Sequence, residues 1–304
     1  MMKTLLGILF CAASSLGAFD YALKPVRVTS DVHCFFGAPE VMDKTNNGNI
    51  TNSCYIDAGE GYVVVDTGPS YAYAASAFNA MQKIKPLPVK LVINTHVHDD
   101  HWLGNNFYTQ MGVKVLGSDD FKVNADMSMP TRMQTYISPE AYEKTVPTMP
   151  SELIAADTNL SVGNQKLELI IAKHKAHTAK DMVVYLPKSK VLIAADLIFN
   201  DRLPSVRGGD INGWLAALDD LDKLGAEHVV GGHGFRTDKE TAAMTRAYFT
   251  QMRNEIRGAI AEGLSIDQTV TKVSMESYKH YKLYEGMHRH NVEASYRVLE
   301  WEQE

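Results

Sequence analysis

The chain has 304 residues, of which 45% are hydrophobic and 22% charged, and its formal net charge is −6. This length and apolar content can bury a full core, which excludes a disordered protein and predicts one large domain or two small ones. The acidic balance argues against a nucleic-acid partner, because binding phosphates requires an excess of basic side chains.

Residues 1–18 have the pattern of a secretory signal peptide. Lys3 gives a positive start, residues 4–16 form a short apolar run, and Gly17 and Ala18 are small residues at a cleavage site. We therefore expect an exported protein, periplasmic or secreted. Because the run is too short to favour a spanning helix and no second one follows, we expect no stable membrane insertion after cleavage.

Cys34 and Cys54 are the two cysteines that remain after cleavage. Both lie in segments of strand composition that can pair as a hairpin, so in an oxidising compartment they could form one disulfide. Two free buried thiols are the alternative, because spacing alone does not fix the connectivity.

Strand-like and helix-like patterns alternate along the mature chain. In the first half we predict helices over 70–84 and 119–127, and strands over 26–36, 54–57, 62–66, 89–94 and 113–116. A connection over 129–153 has no clear period. In the second half we predict a helix over 211–224, and strands over 165–172, 182–186, 191–195 and 228–230.

This order of elements predicts an α/β (α+β) fold. Each half is rich in strands first and helical afterwards, which is typical of two sheets packed face to face with helices outside. We interpret residues 19–304 as a single domain with a C-terminal helical extension from residue 237 onward. The sequence leaves the oligomeric state open.

The stretch NTHVHDDHWLG, residues 94–104, places three of the chain's eleven histidines next to two aspartates. It follows a predicted buried strand. Side chains two apart in an extended segment point the same way, so His96 and His98 can converge on one point while Asp100 and His101 face a neighbouring one. Imidazole and carboxylate suit zinc and related divalent metals, so the stretch predicts ligands for two ions.

One turn cannot supply all the ligands of two ions. His177, Asp196 and His233 each come after a predicted strand. Side chains at the ends of neighbouring strands can meet at one edge of a sheet scaffold. We therefore predict that all three join the histidine-rich turn.

The HxHxDH motif, His177 before a threonine, Asp196 in the context AADL and His233 in GGHG resemble the metallo-β-lactamase-fold hydrolase superfamily. That resemblance implies an αββα sandwich of two mixed β-sheets flanked by helices. It also implies two ligand sets joined by a bridging aspartate, as in glyoxalase II-type members: His96, His98 and His177, then Asp100, His101 and His233, bridged by Asp196. Longer stretches such as GNITNSCYI and HNVEASYRVLEWE resemble the exported branch called quinoprotein relay system zinc metallohydrolases, with SoxH-like proteins nearby.

From these residues we predict a metal-dependent hydrolase of a small ester, thioester, lactone or lactam. Two divalent ions, zinc first with iron or manganese as alternatives, would turn a shared water into hydroxide that attacks a carbonyl. Asp100 is the predicted catalytic residue, because it could orient that hydroxide as well as bind metal. The alternatives are a mononuclear iron enzyme similar to persulfide dioxygenases, and a non-catalytic metal-binding partner in periplasmic redox metabolism.

Several further side chains have two interpretations. Asp66 and Asp181 could fix imidazole tautomers or could cap turns. Arg202 and Arg207 could contact an anionic group of the substrate or could be ordinary exposed arginines. Four other histidines of the C-terminal half, His174, His280, His288 and His290, are expected in solvent.

Overall fold

The structure is a computed structural model that describes residues 19–302. Its first sheet has seven strands in chain order, β1 to β7. Strands β1 to β4 pair antiparallel and β4 to β7 pair parallel, so the sheet is mixed. The bounds are Val26–Arg27, Val32–Phe35, Ser53–Asp57, Tyr62–Val65, Val89–Ile93, Lys114–Ser118 and Glu152–Ile154.

The second sheet has five strands in the order β12-β11-β10-β9-β8. Only the β11–β12 pair is parallel, so this sheet is also mixed. The bounds of β8 to β12 are Thr158–Val162, Gln165–Ile171, Met182–Leu186, Val191–Phe199 and His228–His233.

The helices lie on the outer faces of the two sheets. Those of the first half, α1 to α6, are Tyr71–Ile84, Asp99–Trp102, Asn105–Gln110, Phe121–Asn124, Arg132–Tyr136 and Pro139–Tyr142. Those of the second half, α7 to α10, are Ile211–Asp222, Ala243–Ala261, Ile266–Lys272 and Tyr284–Leu299, with a 3-10 turn at Glu276–Tyr278. In the part of the chain described, no helix combines the length and apolarity needed to cross a membrane.

The core follows from the alternation of side chains along each strand. In β4, Val63 and Val65 face the second sheet, whereas Tyr62 and Val64 face α1. The other face of the second sheet packs on α7, α8 and α10, where Trp214 is fully buried. Helix, sheet, sheet and helix therefore form four layers, and the predicted αββα sandwich of two mixed sheets is confirmed.

Cys34 and Cys54 are disulfide-bonded. They lie opposite each other on the antiparallel strands β2 and β3, so the hairpin pairing predicted for these segments brings them together. Of the two interpretations left open by the sequence, the structure has the disulfide.

Several predicted elements differ in extent. The strand predicted over 26–36 is interrupted by a turn between β1 and β2, and the helix predicted over 119–127 is only the single turn α4. The connection over 129–153 contains α5 and α6, too short to show a helical period. The predictions that Asp196 and His233 follow their strands are wrong, because β11 continues to Phe199 and β12 continues to His233 itself. The predicted signal peptide lies outside the described residues.

Candidate metal centre

The HxHxDH motif runs from the turn after β5 into α2, and the carboxylate of Asp66 holds this turn in place. Asp66 lies at the end of β4 and is 2% exposed. Its Oδ1 accepts a hydrogen bond from the backbone N–H of Thr95 at 2.9 Å, and its Oδ2 accepts one from the Thr95 hydroxyl at 2.8 Å. His101 Nδ1 also donates to Asp66 Oδ2, at 2.8 Å. One buried carboxylate therefore binds the turn at two residues.

The structure brings all seven predicted ligand residues together. Their ligand atoms form two clusters, each within 4.8 Å: one of His96, His98, His177 and Asp196, the other of Asp100, His101 and His233. We call these cluster one and cluster two. Six of the seven residues are buried and His98 is half-buried, as expected for ligands held at the base of a cleft.

Asp196 lies inside β11 because the strand is irregular there. The pairing with β12 shifts register on both sides of Ala195, whose φ is 45°, so the chain bulges and re-aims the next side chain. On β12, a Cβ at Gly232 would stand 1.9 Å from Asp196 Oδ1. Glycine in the GGHG motif therefore leaves room for the carboxylate between the two strands. His233 follows and stacks on Phe199 with ring centroids 5.0 Å apart.

Hydrogen bonds fix the tautomers of three histidines. His101 donates through Nδ1 to Asp66, and His233 donates through Nδ1 to the carbonyl oxygen of Ile50 at 2.6 Å. The Thr95 hydroxyl gives its proton to Asp66, so its oxygen accepts from His96 Nδ1 at 3.0 Å. In each neutral ring the proton is on Nδ1, and the lone pair of Nε2 faces the centre of the site.

The Nε2 atoms of these three rings, and that of His177, surround the Asp196 carboxylate. His177 and His233 place Nε2 at 3.1 and 3.3 Å from Asp196 Oδ2, and His101 Nε2 is 3.1 Å from Oδ1. His96 Nε2 and Asp196 Oδ1 have no hydrogen-bond partner. His96 Nε2 and Asp196 Oδ1 are therefore buried acceptors with no proton to share, and such atoms repel, so the residues present fit a divalent cation between them.

The charges of the site agree with this fit. Burial opposes ionisation of Asp196, but the surrounding histidines outweigh it and lower the pKa of the carboxyl. Burial lowers the pKa of His98 to about 3 and that of His96 well below its usual value. Burial also acts to lower the pKa of His101 and His177, yet Asp196 raises both. A positive charge beside Asp196 is therefore favoured.

Asp66 and Asp181 take different roles. Asp66 supports two ligand rings, His101 directly and His96 through Thr95. Asp181 instead accepts from the backbone N–H and the hydroxyl of Thr178, closing a turn, and His177 Nδ1 has no hydrogen-bond partner. The sequence did not single out Thr95, although it directly precedes the first histidine of the motif.

Arg132 on α5 is a site residue that the sequence missed. Its Nη2 donates to Asp100 Oδ1 at 3.0 Å, and its guanidinium also binds Asp99. Asp100 Oδ2 faces His101 and His233, at 3.7 and 3.8 Å from their Nε2 atoms. Arg132 therefore holds one oxygen of Asp100 while the other faces cluster two. No local pattern marks it, because its helix is five residues long.

The other basic side chains that the sequence singled out differ in how deeply they are buried. Arg202 is buried and Arg207 is exposed, and both line the cleft above the clusters. His174, His280 and His290 are exposed as expected. The expectation is wrong for His288, which is buried between α8 and α10 and hydrogen-bonded to Tyr248.

Fold and ligand set together define an αββα-sandwich protein with a candidate metal site at one edge of its sheets. Residues 46–233 match the Metallo-beta-lactamase superfamily. That is more than half of the chain, which therefore belongs to this superfamily. The expectation of a metal-dependent hydrolase is confirmed at the level of the family. The narrower resemblance to the quinoprotein-relay branch stays a prediction.

Curated relatives are distant. A "Linear primary-alkylsulfatase" of Pseudomonas sp. (strain ATCC 19151) is 24% identical over 81% of this chain, and the chain covers 55% of that protein's length. A "Metallo-beta-lactamase type 2" of Bacillus sp. (strain 170) is 25% identical over 62% of this chain and 68% of its own. The chain thus spans about half of the alkylsulfatase and two thirds of the lactamase.

Solved structures share the fold. The metallo-beta-lactamase from Pontibacter korlensis has a TM-score of 0.60 and 23% identity, with 75% of this chain and 99% of that chain covered. The metallo-beta-lactamase FIM-1 from Pseudomonas aeruginosa, in a mono-zinc form, has a TM-score of 0.59 and 19% identity, with 76% and 96% covered. At these identities the likeness concerns the fold alone.

Proposed function

We propose that the protein is an exported hydrolase with two zinc ions, acting on a small ester, thioester, lactone or lactam. The main evidence for this proposal is that four buried imidazole Nε2 atoms surround the Asp196 carboxylate. Each Nε2 lies within 3.8 Å of one of its two oxygens. A carboxylate so surrounded can bridge two cations, with three ligands left for each of the two clusters.

When bound, two divalent ions activate a water near neutral pH and stabilise negative charge on a substrate oxygen. The chain's own part is to orient that water and the substrate. Asp100 presents Oδ2 to the cleft and can accept a proton from the attacking water, while Arg132 keeps Oδ1 fixed. Thr95 and Asp66 keep His96 and His101 in the tautomer that binds metal through Nε2.

Two observations favour this proposal over the alternatives. A mononuclear iron site would leave cluster two, Asp100, His101 and His233, without an ion although its ligand atoms lie within 4.8 Å of one another. A purely metal-binding role needs no open space, whereas a cleft of about 340 Å³ exposes ligands of both clusters. Iron or manganese in place of zinc would keep the same residues as ligands.

Sulfate esters are a second candidate substrate class. They are favoured by the relative named an alkylsulfatase, whose match extends over 81% of this chain, further than the lactamase match at 62%. Export is proposed from the sequence of residues 1–18, and the disulfide between Cys34 and Cys54 supports an oxidising compartment.

The test combines metal content with turnover. Purified protein should contain two zinc ions per chain by elemental analysis, and chromogenic esters, lactones, cephalosporins and aryl sulfates should reveal the hydrolysed class. Asp100→Asn should abolish turnover. Asp99→Asn is the matched control, because Asp99 also binds Arg132 but belongs to neither cluster. One iron per chain with oxygen consumption would contradict the proposal, as would bound metal without turnover of any substrate.

A further inference from the structure

Arg202 is a buried guanidinium without an acidic partner. It follows β11 and is 5% exposed. No Asp or Glu oxygen among residues 19–302 lies within 4.0 Å of its nitrogens. Its Nη1 donates weakly to the carbonyl oxygen of Glu40 at 3.3 Å, and its Nε has no hydrogen-bond partner. Buried charges in proteins are normally paired, so this arrangement is unusual.

His233 does not supply the missing acceptor. Arg202 Nη1 lies 3.3 Å from His233 Nδ1, but that nitrogen donates its own proton to Ile50. Two donors facing each other do not form a hydrogen bond. The contact therefore fixes where Arg202 lies, directly beside a ligand of cluster two, and leaves most of its five N–H donors free.

The free donors belong to the cleft of the candidate metal site. Arg202 lines that cleft together with ligands from both clusters, and part of the remaining wall is apolar, formed by Val41, Met42, Val97 and Phe199. A guanidinium in such surroundings recognises planar oxyanions, with two parallel hydrogen bonds that water screens little.

The other two arginines of the cleft differ from Arg202, one in its charge pairing and the other in its exposure to water. Arg132 is neutralised by Asp99 and Asp100. Arg207 is exposed, so water solvates its charge. Among the arginines that line this cleft, Arg202 is the one that is both buried and without a carboxylate.

We propose that Arg202 binds an oxyanion of the substrate, a carboxylate or a sulfate, so that the site selects acidic esters over neutral ones. This inference rests on the proposed hydrolase function and adds the charge of its substrate. The anion occupies the side of the cleft next to His233, and the apolar wall contacts the carbon chain of the same substrate.

The first test compares two substrates of equal acyl length, mono-para-nitrophenyl glutarate and para-nitrophenyl pentanoate, which differ by a terminal carboxylate. Wild type should prefer the glutarate. Arg202→Met should lower kcat/KM for the glutarate by about 10- to 100-fold and change the pentanoate value by less than about 3-fold, the expected loss of one charge-assisted contact. Arg207→Met is the matched control and should affect neither by more than about 3-fold.

The second test measures binding without turnover. Hexanoate and hexyl sulfate are titrated calorimetrically into zinc-loaded wild type, Arg202→Met and Arg207→Met, each with its zinc content verified. Wild type and Arg207→Met should bind at least one of these anions, and Arg202→Met should bind it about 10-fold or more weakly. The preferred anion shows whether a carboxylate or a sulfate is recognised. If Arg202→Met does not fold, Arg202→Lys replaces it and should show a partial loss.

The two tests separate this inference from the hydrolase proposal. If none of the esters, lactones, cephalosporins and aryl sulfates is hydrolysed but anion binding depends on Arg202, the hydrolase proposal fails and the anion site stands. If esters are hydrolysed without preference for the glutarate, or Arg202→Met and Arg207→Met lose equally, the anion site is overturned and the hydrolase proposal stands.

Discussion

Buried histidines occur in two regions of the molecule, and their surroundings differ. Between α8 and α10, His288 donates through Nε2 to the carbonyl oxygen of Val273 at 2.8 Å and accepts from the Tyr248 hydroxyl through Nδ1 at 2.9 Å. Both ring nitrogens are satisfied. At the sheet edge, His96 is equally buried but its Nε2 has no partner.

The difference shows which buried histidines are built for a ligand. Burial alone does not separate the two regions. His288, with both ring nitrogens hydrogen-bonded within the protein, is part of the core, whereas His96, held at Nδ1 and open at Nε2, is ready to bind a cation. Four experiments test this difference between the two kinds of buried histidine.

Removing metal should have the largest effect. Chelation would leave the lone pairs of His96 and His233 facing Asp196 without a cation, so we expect the melting temperature to fall by about 10 °C, from about 4 kcal/mol of lost binding energy. Calorimetry before and after chelation measures this, and adding zinc back should restore the transition. An unchanged melting temperature in protein shown to have lost zinc would contradict the comparison.

Asp66→Asn should have the second-largest effect, a loss of metal affinity. The amide has one acceptor oxygen and cannot accept all three protons that Asp66 accepts, from the Thr95 N–H, the Thr95 hydroxyl and His101 Nδ1, so support of both clusters weakens. We expect zinc affinity to fall by about 10- to 100-fold in titrations against a competing chelator. Asp181→Asn is the control, since Asp181 bonds Thr178 and no histidine. Equal losses in the two variants would disprove the assigned role of Asp66.

Arg132→Gln should have a smaller and more local effect. It frees Asp100 Oδ1 while leaving cluster one untouched, so we expect about 10-fold weaker binding of one ion and unchanged binding of the other. Cobalt substitution followed by absorption spectroscopy distinguishes the two sites, and Arg132→Lys should recover part of the loss. Equal weakening of both ions would count against the assignment.

His288→Gln should leave metal binding unchanged and reduce acid sensitivity. Burial lowers the pKa of His288 below its usual value, so the unfolded chain takes up the proton first. The stabilisation is present above about pH 6.5, the unfolded-state value, and is lost as the pH falls below it. Urea unfolding of metal-free protein at pH 8 and pH 5 should therefore show a smaller drop for the variant than for wild type. His290→Gln, at an exposed position, should behave as wild type.

Most of the fold could be predicted from the sequence, because its buried strands and the long helix α1 have strong local patterns. Ser70 caps α1 where the pattern begins, with its hydroxyl accepting from Tyr73 N. The predictions that failed concern very short helices and one irregular strand. The single-turn helices α4 to α6 have no periodicity to detect, and the extension of β11 past Ala195 depends on a bulge set by pairing with β12.

The seven candidate ligands could be predicted because their residue types and spacing carry the chemistry. The residues that hold these ligands in position could not be predicted. Thr95 and Arg132 act through hydrogen bonds that only the folded chain defines, and Arg132 lies 32 residues from Asp100. His288 was assigned to solvent because a lone histidine on a polar helix gives no sign of the Tyr248 hydroxyl that it meets.

The Asp66 carboxylate connects the two ligand clusters. Because the same two oxygens hold His101 of cluster two and, through Thr95, His96 of cluster one, ordering either ring by an ion orders the carboxylate for the other. In the two-ion site proposed above, the first ion to bind would therefore bear the entropic cost of ordering both clusters, and the second would bind to ligands that are already ordered. Loading should be cooperative, with the empty and the fully charged protein abundant and the half-charged form scarce.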